Sequence, residues 1–115
     1  MSDFRETSAS LLVLSNVPDE KVAAEIAHRL VEQRLAACVN ILPAVRSVYR
    51  WPSAVEEATE VMLLIKTVQS RYADVEHAIK AMHPYDVPEI IALPIAAGLP
   101  AYLEWIAKTT RDDDV

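Results

Sequence analysis

VMLLIKT, residues 61–67, is the stretch that decides the fold of this chain. It is an apolar run of strand length in which both sets of alternating positions are hydrophobic, so that neither face is polar. Such a strand is typical of the middle of a sheet, where both faces are covered. We therefore predict a central strand here and place the other elements around it.

The chain before this segment predicts a strand, a helix and a second strand. LLVLS (11–15) and CVNIL (38–42) are short apolar runs of strand length. Between them, apolar residues recur every four positions at Val22, Ile26 and Leu30, which is the spacing of one face of a helix.

The connection from the second strand to residues 61–67 is more polar. We expect Pro43 to end the second strand, because proline cannot donate a hydrogen bond to a neighbouring strand. Extended chain is expected again at RSVYRW (46–51). VEEATE (55–60) is expected to be a polar connection or a hairpin.

The chain after the central strand predicts a second helix, a strand and a short terminal helix. Pro84 is expected to end the second helix, because the residue before a proline is pushed out of the helical conformation. A strand is predicted at EIIALPI (89–95), and Pro100 suits the first turn of the last helix. The second helix has one apolar face, made by Tyr72, Val75, Ile79 and Met82.

The order β-α-β-β-α-β predicts an α+β fold of the ferredoxin-like, split βαβ type. In that sandwich an antiparallel sheet carries two helices on one face, and here a C-terminal helix follows. We predict a single domain over residues 1–115, in which 1–9 and 111–115 are mobile tails.

The composition and net charge of the chain indicate which classes of partner to expect and which to exclude. A hydrophobic fraction of 52% is high for 115 residues, and a small monomer has few places to bury so much apolar surface, so we expect a homo-oligomer. The net charge of −6 disfavours nucleic acid and anionic membranes as partners. Gly98 is the only glycine, which excludes glycine-rich phosphate loops.

The sequence also favours a cytoplasmic protein. Cys38 is the only cysteine, so no intrachain disulfide can form, and this mildly favours a reducing compartment. The first ten residues, MSDFRETSAS, are polar and carry acids, so they do not resemble a signal peptide.

Four blocks of the sequence resemble the CutA family of divalent-cation tolerance proteins: AACVNILP (36–43), SVYRW (47–51), HPYDVPEI (83–90) and YLEWI (102–106). The resemblance implies a tightly packed homotrimer in which extended strands meet between subunits. It also implies a role in tolerance of copper and other divalent metals. A likeness of that family to trimeric signalling proteins of the PII type implies a sensing role as an alternative.

The resemblance bears on the candidate metal ligands. In members proposed to bind copper, the positions of Ser15, Met82 and His83 carry a cysteine and two histidines. Of these three residues, this chain has only His83. His83 is therefore the candidate ligand for weak binding of copper or another divalent cation, with Asp86 or Glu89 able to approach it. The alternative is that His83 only caps the end of the second helix.

Several other side chains are candidates for a binding site. Cys38 is either a small buried hydrophobe or a soft metal ligand. Tyr49 and Trp51 are expected at a subunit interface, with a place in a ligand pocket as the alternative. We predict a polar pocket at a seam between subunits, formed by Tyr85, Glu89, Glu60 and Lys66.

No catalytic constellation is apparent, because no nucleophile has a base at a recognisable spacing. We therefore predict a binding protein rather than an enzyme, with no required cofactor. The first hypothesis is a homotrimer that serves divalent-metal tolerance. The alternative is a sensor of a small ligand, or a protein-interaction module, without a physiological metal.

Overall fold

The computed structural model describes residues 9–111, which form four strands and three helices. The predicted tails, residues 1–9 and 111–115, lie outside these residues except at positions 9 and 111. None of the described helices is long and apolar enough to cross a membrane. In chain order the elements are β1 (Ser10–Val17), α1 (Glu20–Glu32), β2 (Cys38–Arg50), β3 (Val55–Val68), α2 (Tyr72–Met82), β4 (Ile91–Pro94) and α3 (Pro100–Thr109).

The strands form one sheet in the order β2-β3-β1-β4, in which every neighbouring pair is antiparallel. This is the predicted split βαβ arrangement. The central position predicted for residues 61–67 is confirmed, because they lie in β3 between β2 and β1. The predicted last strand is shorter than expected, since only Ile91–Pro94 pairs with β1.

The core lies between one face of the sheet and the two helices α1 and α2. Burial alternates along β1 and along the inner half of β3, as expected for strands with one covered face. Both helices direct apolar side chains into this layer. Its fully buried residues include Val13, Val17, Ile26, Leu30, Leu63, Ile65, Val75 and Ile79.

The largest departure from prediction concerns residues 55–60, which are not a polar connection but one strand of the hairpin that β2 and β3 form. They extend β3 outward, where they pair with the second half of β2. Pro43 does not end β2 either, because a register shift between Leu42 and Val45 lets the strand continue past it. Ala44 absorbs the irregularity with a φ of 64°, in the left-handed region. The turn lies at residues 51–54.

Residues 45–60 therefore form a two-stranded arm, which pairs only within itself and extends past the end of β1. Its length contributes to an elongated shape of 48 × 26 × 23 Å for the chain. Several large apolar side chains of the arm are exposed: Val48, Tyr49, Trp51 and Val55.

Local signals set the ends of the helices. The side chain of Asp19 caps α1 by accepting a hydrogen bond of 2.9 Å from the backbone N–H of Val22. α2 ends at Met82, and the extended conformation of His83 before Pro84 agrees with the prediction. The last helix, α3, packs Ile106 against Ala37 and Val68 at one end of the sheet.

The second face of the sheet carries apolar side chains but no helix layer comparable to α1 and α2. In antiparallel strands, directly paired residues share a face, so the register identifies this open face. It comprises Leu12, Leu14, Leu42, Met62, Leu64, Ile91 and Leu93, of which Leu42, Ile91 and Leu93 are 38%, 49% and 48% exposed.

Shortening a buried side chain of the central strand is expected to destabilise the fold strongly. Ile65 is fully buried between the sheet and the helices, so we expect Ile65→Ala to lower the free energy of unfolding by about 2–5 kcal/mol. Val31→Ala, at a position of α1 that is 41% exposed, is expected to change it by less than about 0.5 kcal/mol. Urea denaturation at one protein concentration measures both, and equal effects would contradict this core.

Candidate functional site

His83 links the end of α2 to the end of β1. Its side chain is 7% exposed, and its Nε2 lies 2.7 Å from the backbone oxygen of Asn16. The backbone N–H of Tyr85 donates a hydrogen bond of 3.2 Å to Nδ1. Because Nδ1 accepts a hydrogen bond, the ring proton belongs on Nε2, which donates it to Asn16. Both ring nitrogens are therefore engaged in a neutral imidazole.

This geometry leaves no free nitrogen on His83 for a metal. Of the two positions where proposed copper-binding members carry cysteine and histidine, Ser15 is fully buried and Met82 packs against the core. Among the described residues, the side-chain oxygen of Ser15 has no hydrogen-bond partner. Within residues 9–111, no three side chains of histidine, cysteine, aspartate or glutamate are grouped so that they could hold a metal ion.

A cleft of about 730 Å³ lies beside His83, between the arm, the end of β1 and the loop of residues 84–90. Three of its residues were predicted as pocket members, namely Glu60, Tyr85 and Glu89, and the structure brings them together. Tyr49 and Trp51, which were expected at an interface, also line it. The remaining lining residues are Asn16, Ser47, Val48, Asp86 and Val87.

The hydrogen bond between Tyr85 and Glu60 joins the loop to the arm. The Tyr85 hydroxyl donates to Oε2 of Glu60 over 2.9 Å, and the Glu60 side chain is held at only 8% exposure. The tyrosine ring lies against His83, with ring centroids 4.7 Å apart. His83 thus fixes the position of Tyr85, and Tyr85 in turn fixes the carboxylate of Glu60.

This environment favours the neutral form of Tyr85. Burial of the phenol is the largest cause, and the hydrogen bond to Glu60 and its negative charge add to it, so that together they raise the pKa of Tyr85 to about 12. Although the residue as a whole is 42% exposed, its hydroxyl is held against a buried carboxylate.

Glu89 is anchored from the opposite wall of the cleft. Its Oε1 accepts a hydrogen bond of 3.1 Å from Nδ2 of Asn16, while Oδ1 of Asn16 is buried and has no partner within residues 9–111. Asn16 was not among the pocket residues predicted from the sequence, although it lines the cleft. The available signal was its period of two with Leu12 and Leu14, which puts it on the open face of the sheet.

Lys66 does not line the cleft, although it was predicted in the same pocket as Glu60. It lies six residues farther along β3, which corresponds to about 20 Å of strand. Its Nζ donates to Oδ1 of Asn40 over 2.7 Å and lies 5.8 Å from the centre of the Tyr102 ring. Cys38, paired with Lys66 across the sheet, is a half-buried free thiol.

The state of Tyr85 can be tested by titration. In protein labelled with ¹³C at tyrosine, we expect Tyr85 to ionise near pH 12, and Glu60→Gln to lower its pKa while burial keeps it above the ordinary value of 10.0. Because folding raises this pKa, the stabilisation is fully present below pH ~10 and is lost as the pH rises towards 12. An unchanged Tyr85 pKa in Glu60→Gln would contradict this account, and Glu25→Gln serves as control.

Comparison with known proteins agrees with this architecture. Residues 11–109 match the model of the family described as CutA1 divalent ion tolerance protein. The chain is 52% identical over 99 residues to a divalent-cation tolerance protein CutA of Thermus thermophilus, covering 86% of this chain and 96% of that protein. It is 42% identical over 112 residues to a chloroplastic CutA protein of Arabidopsis thaliana, covering 97% of this chain but 62% of that longer protein.

Solved structures show the same relationship. The solved structure of the divalent cation tolerance protein Cut A1 from Thermus thermophilus superposes with a TM-score of 0.87 at 50% sequence identity, covering 89% of this chain and 99% of that one. A family match over nearly the whole described chain and this degree of identity confirm the resemblance found in the sequence. The chain belongs to the CutA1 divalent ion tolerance family.

Proposed function

We propose that this protein serves divalent-cation tolerance as a homotrimeric binding protein in the cytoplasm, and that the cleft is its ligand site. The observation that carries the proposal is the Tyr85–Glu60 hydrogen bond, which holds a nearly buried carboxylate in a cleft of about 730 Å³. A concave site with aromatic walls and a few fixed polar groups is the usual form of a small-ligand site.

The residues of the cleft support binding rather than catalysis. The hydrogen-bond donors to Glu60 and Glu89 are Tyr85 and Asn16, and among the described residues neither carboxylate accepts a hydrogen bond from a serine or a cysteine. The names of the related proteins describe ion tolerance, not a reaction. We therefore propose no enzymatic activity and no required cofactor.

The assignment of His83 differs from the original expectation of a metal ligand. A copper ion at His83 would have to displace either the bond to Asn16 or the bond from Tyr85. We propose that His83 positions Tyr85, and weak copper binding at His83 stays a prediction. A cytoplasmic location is likewise a proposal, supported by the single thiol of Cys38.

The homotrimer is supported by the open face of the sheet. Its apolar side chains include Leu42, Ile91 and Leu93, each more than a third exposed in the single chain. Covering such a surface with further copies of the chain removes it from water. Because Asn16 belongs both to this sheet face and to the cleft, subunits packed on the face would place the cleft at a seam.

A ligand panel tests the cleft. We expect a member of a panel of copper and other divalent ions, nucleotides, small anions and amines to raise the melting temperature by several degrees, because binding to the folded state stabilises it. Glu60→Gln is expected to reduce the shift, and Glu25→Gln on α1 to preserve it. A copper shift that survives Glu60→Gln but is absent in His83→Ala, with His77→Ala as control, would place the site at His83 instead.

The assembly is tested by sedimentation. We expect a species of three times the 12.8 kDa chain mass. Leu93→Glu should shift it towards monomer, because it puts a charge on the open face, whereas Val31→Glu on the exposed side of α1 should not. A stable monomer of the unaltered chain at micromolar concentration would contradict the proposal.

A further inference from the structure

We propose that the ligand of the cleft is an organic cation of the polyamine type, an aliphatic chain that carries two or more separated ammonium groups. This inference rests on the proposed function, because it names the ligand class of the same cleft. It follows from four properties of the described lining residues: their charge, the burial of Glu60, the aromatic walls and the lack of a convergent set of metal ligands.

All the charged residues in the described lining of the cleft are acidic. Glu60, Asp86 and Glu89 line it, and its described lining includes no lysine, arginine or histidine. Arg46, the cation nearest to Ser47 along β2, is bound to Glu57 at 2.6 Å and is not among the lining residues. A site of this kind attracts cations and repels phosphates and carboxylates, so that a nucleotide or a small anion does not suit it.

Glu60 supplies a separate observation that points to a cationic ligand. Glu60 is 8% exposed. Among the described residues, the Tyr85 hydroxyl is its one hydrogen-bond donor. No described lysine, arginine or histidine forms a salt bridge with it. A carboxylate can accept about four hydrogen bonds, and burying its charge without a counter-charge is unfavourable. An ammonium group supplies both the missing donors and the missing charge.

The aromatic walls suit the rest of such a ligand. In the single chain, Tyr49, Trp51 and Tyr85 are 40%, 61% and 42% exposed, and all three rings line the cleft. The face of an aromatic ring attracts an ammonium group, and the methylene groups between the charges can pack on the same rings. A hydrated inorganic cation would leave this apolar surface unused.

The lack of a convergent ligand set among the described residues favours an organic cation over a metal ion. Calcium and magnesium need several oxygen ligands that converge within about 2.0–2.6 Å of one point. The described residues contain no such cluster of three acidic, histidine or cysteine side chains. Glu60 is anchored to Tyr85 and Glu89 to Asn16, so the two charges are held by different elements. An ammonium group binds a carboxylate through its N–H donors and needs no convergent set of ligands, so a ligand with two such groups can meet Glu60 and Glu89.

Calorimetric titration of the full chain with spermidine tests the inference. We expect saturable binding that weakens about tenfold or more in Glu60→Gln and also weakens in Trp51→Ala, but is retained in Glu25→Gln. Two matched probes separate charge from the aliphatic chain. Magnesium chloride at the same ionic strength supplies charge without an aliphatic chain, and hexanediol supplies an aliphatic chain without charge. Neither is expected to give a saturable isotherm.

Fluorescence locates the binding. In Trp105→Phe, Trp51 is the only remaining tryptophan and lines the cleft, so spermidine is expected to change its emission with the affinity found by calorimetry. Equal spermidine affinity in Glu60→Gln and Glu25→Gln, or no binding at all, would overturn the polyamine assignment. If a metal ion or nucleotide then gave a shift that Glu60→Gln removed, the proposed cleft function would stand and only the ligand class would fail.

Discussion

The two hydrogen bonds of the His83 imidazole are the interactions on which the candidate site depends. One ties the end of α2 to the backbone of Asn16 at the end of β1, and the other holds the backbone of Tyr85. Pro84 restricts the chain between them, so that Tyr85 is placed with its hydroxyl at Glu60. A buried, neutral histidine in this role explains why a residue with the chemistry of a metal ligand has neither nitrogen to offer.

The second requirement is the length of the β2–β3 pair. The irregularity at Pro43 and Ala44 lets β2 continue, and the outer half of β3 pairs with it to make the arm. Without the arm there would be no wall opposite the loop of residues 84–90, and Glu60 would end a strand in solvent. The same extension exposes the apolar side chains of Val48 and Val55. Exposed apolar surface of this kind is typical of a binding interface rather than of a monomer.

These features connect membership of the CutA1 family with a physical account of binding. The family is described by tolerance of divalent ions, but the described residues include no group of three histidine, cysteine, aspartate or glutamate side chains that could hold one. The chain does have an acidic cleft, which contains a buried carboxylate and three aromatic rings. The proposed binding function uses that cleft, and the proposed homotrimer uses the open sheet face that borders it.

Local sequence signals were enough to predict the order of the elements, the central place of residues 61–67 and the end of α2 before Pro84. Hydrophobic period and proline are local signals, so these features could be predicted from neighbouring residues alone. Strand character at residues 55–60 could not, because their polar composition suits an exposed arm only once β2 runs beside them. Tertiary structure alone decided which polar groups meet. Register brings Asn16, Glu60, Tyr85 and Glu89 together and leaves Lys66 about 20 Å away along its own strand, because convergence depends on long-range pairing rather than on proximity in the chain.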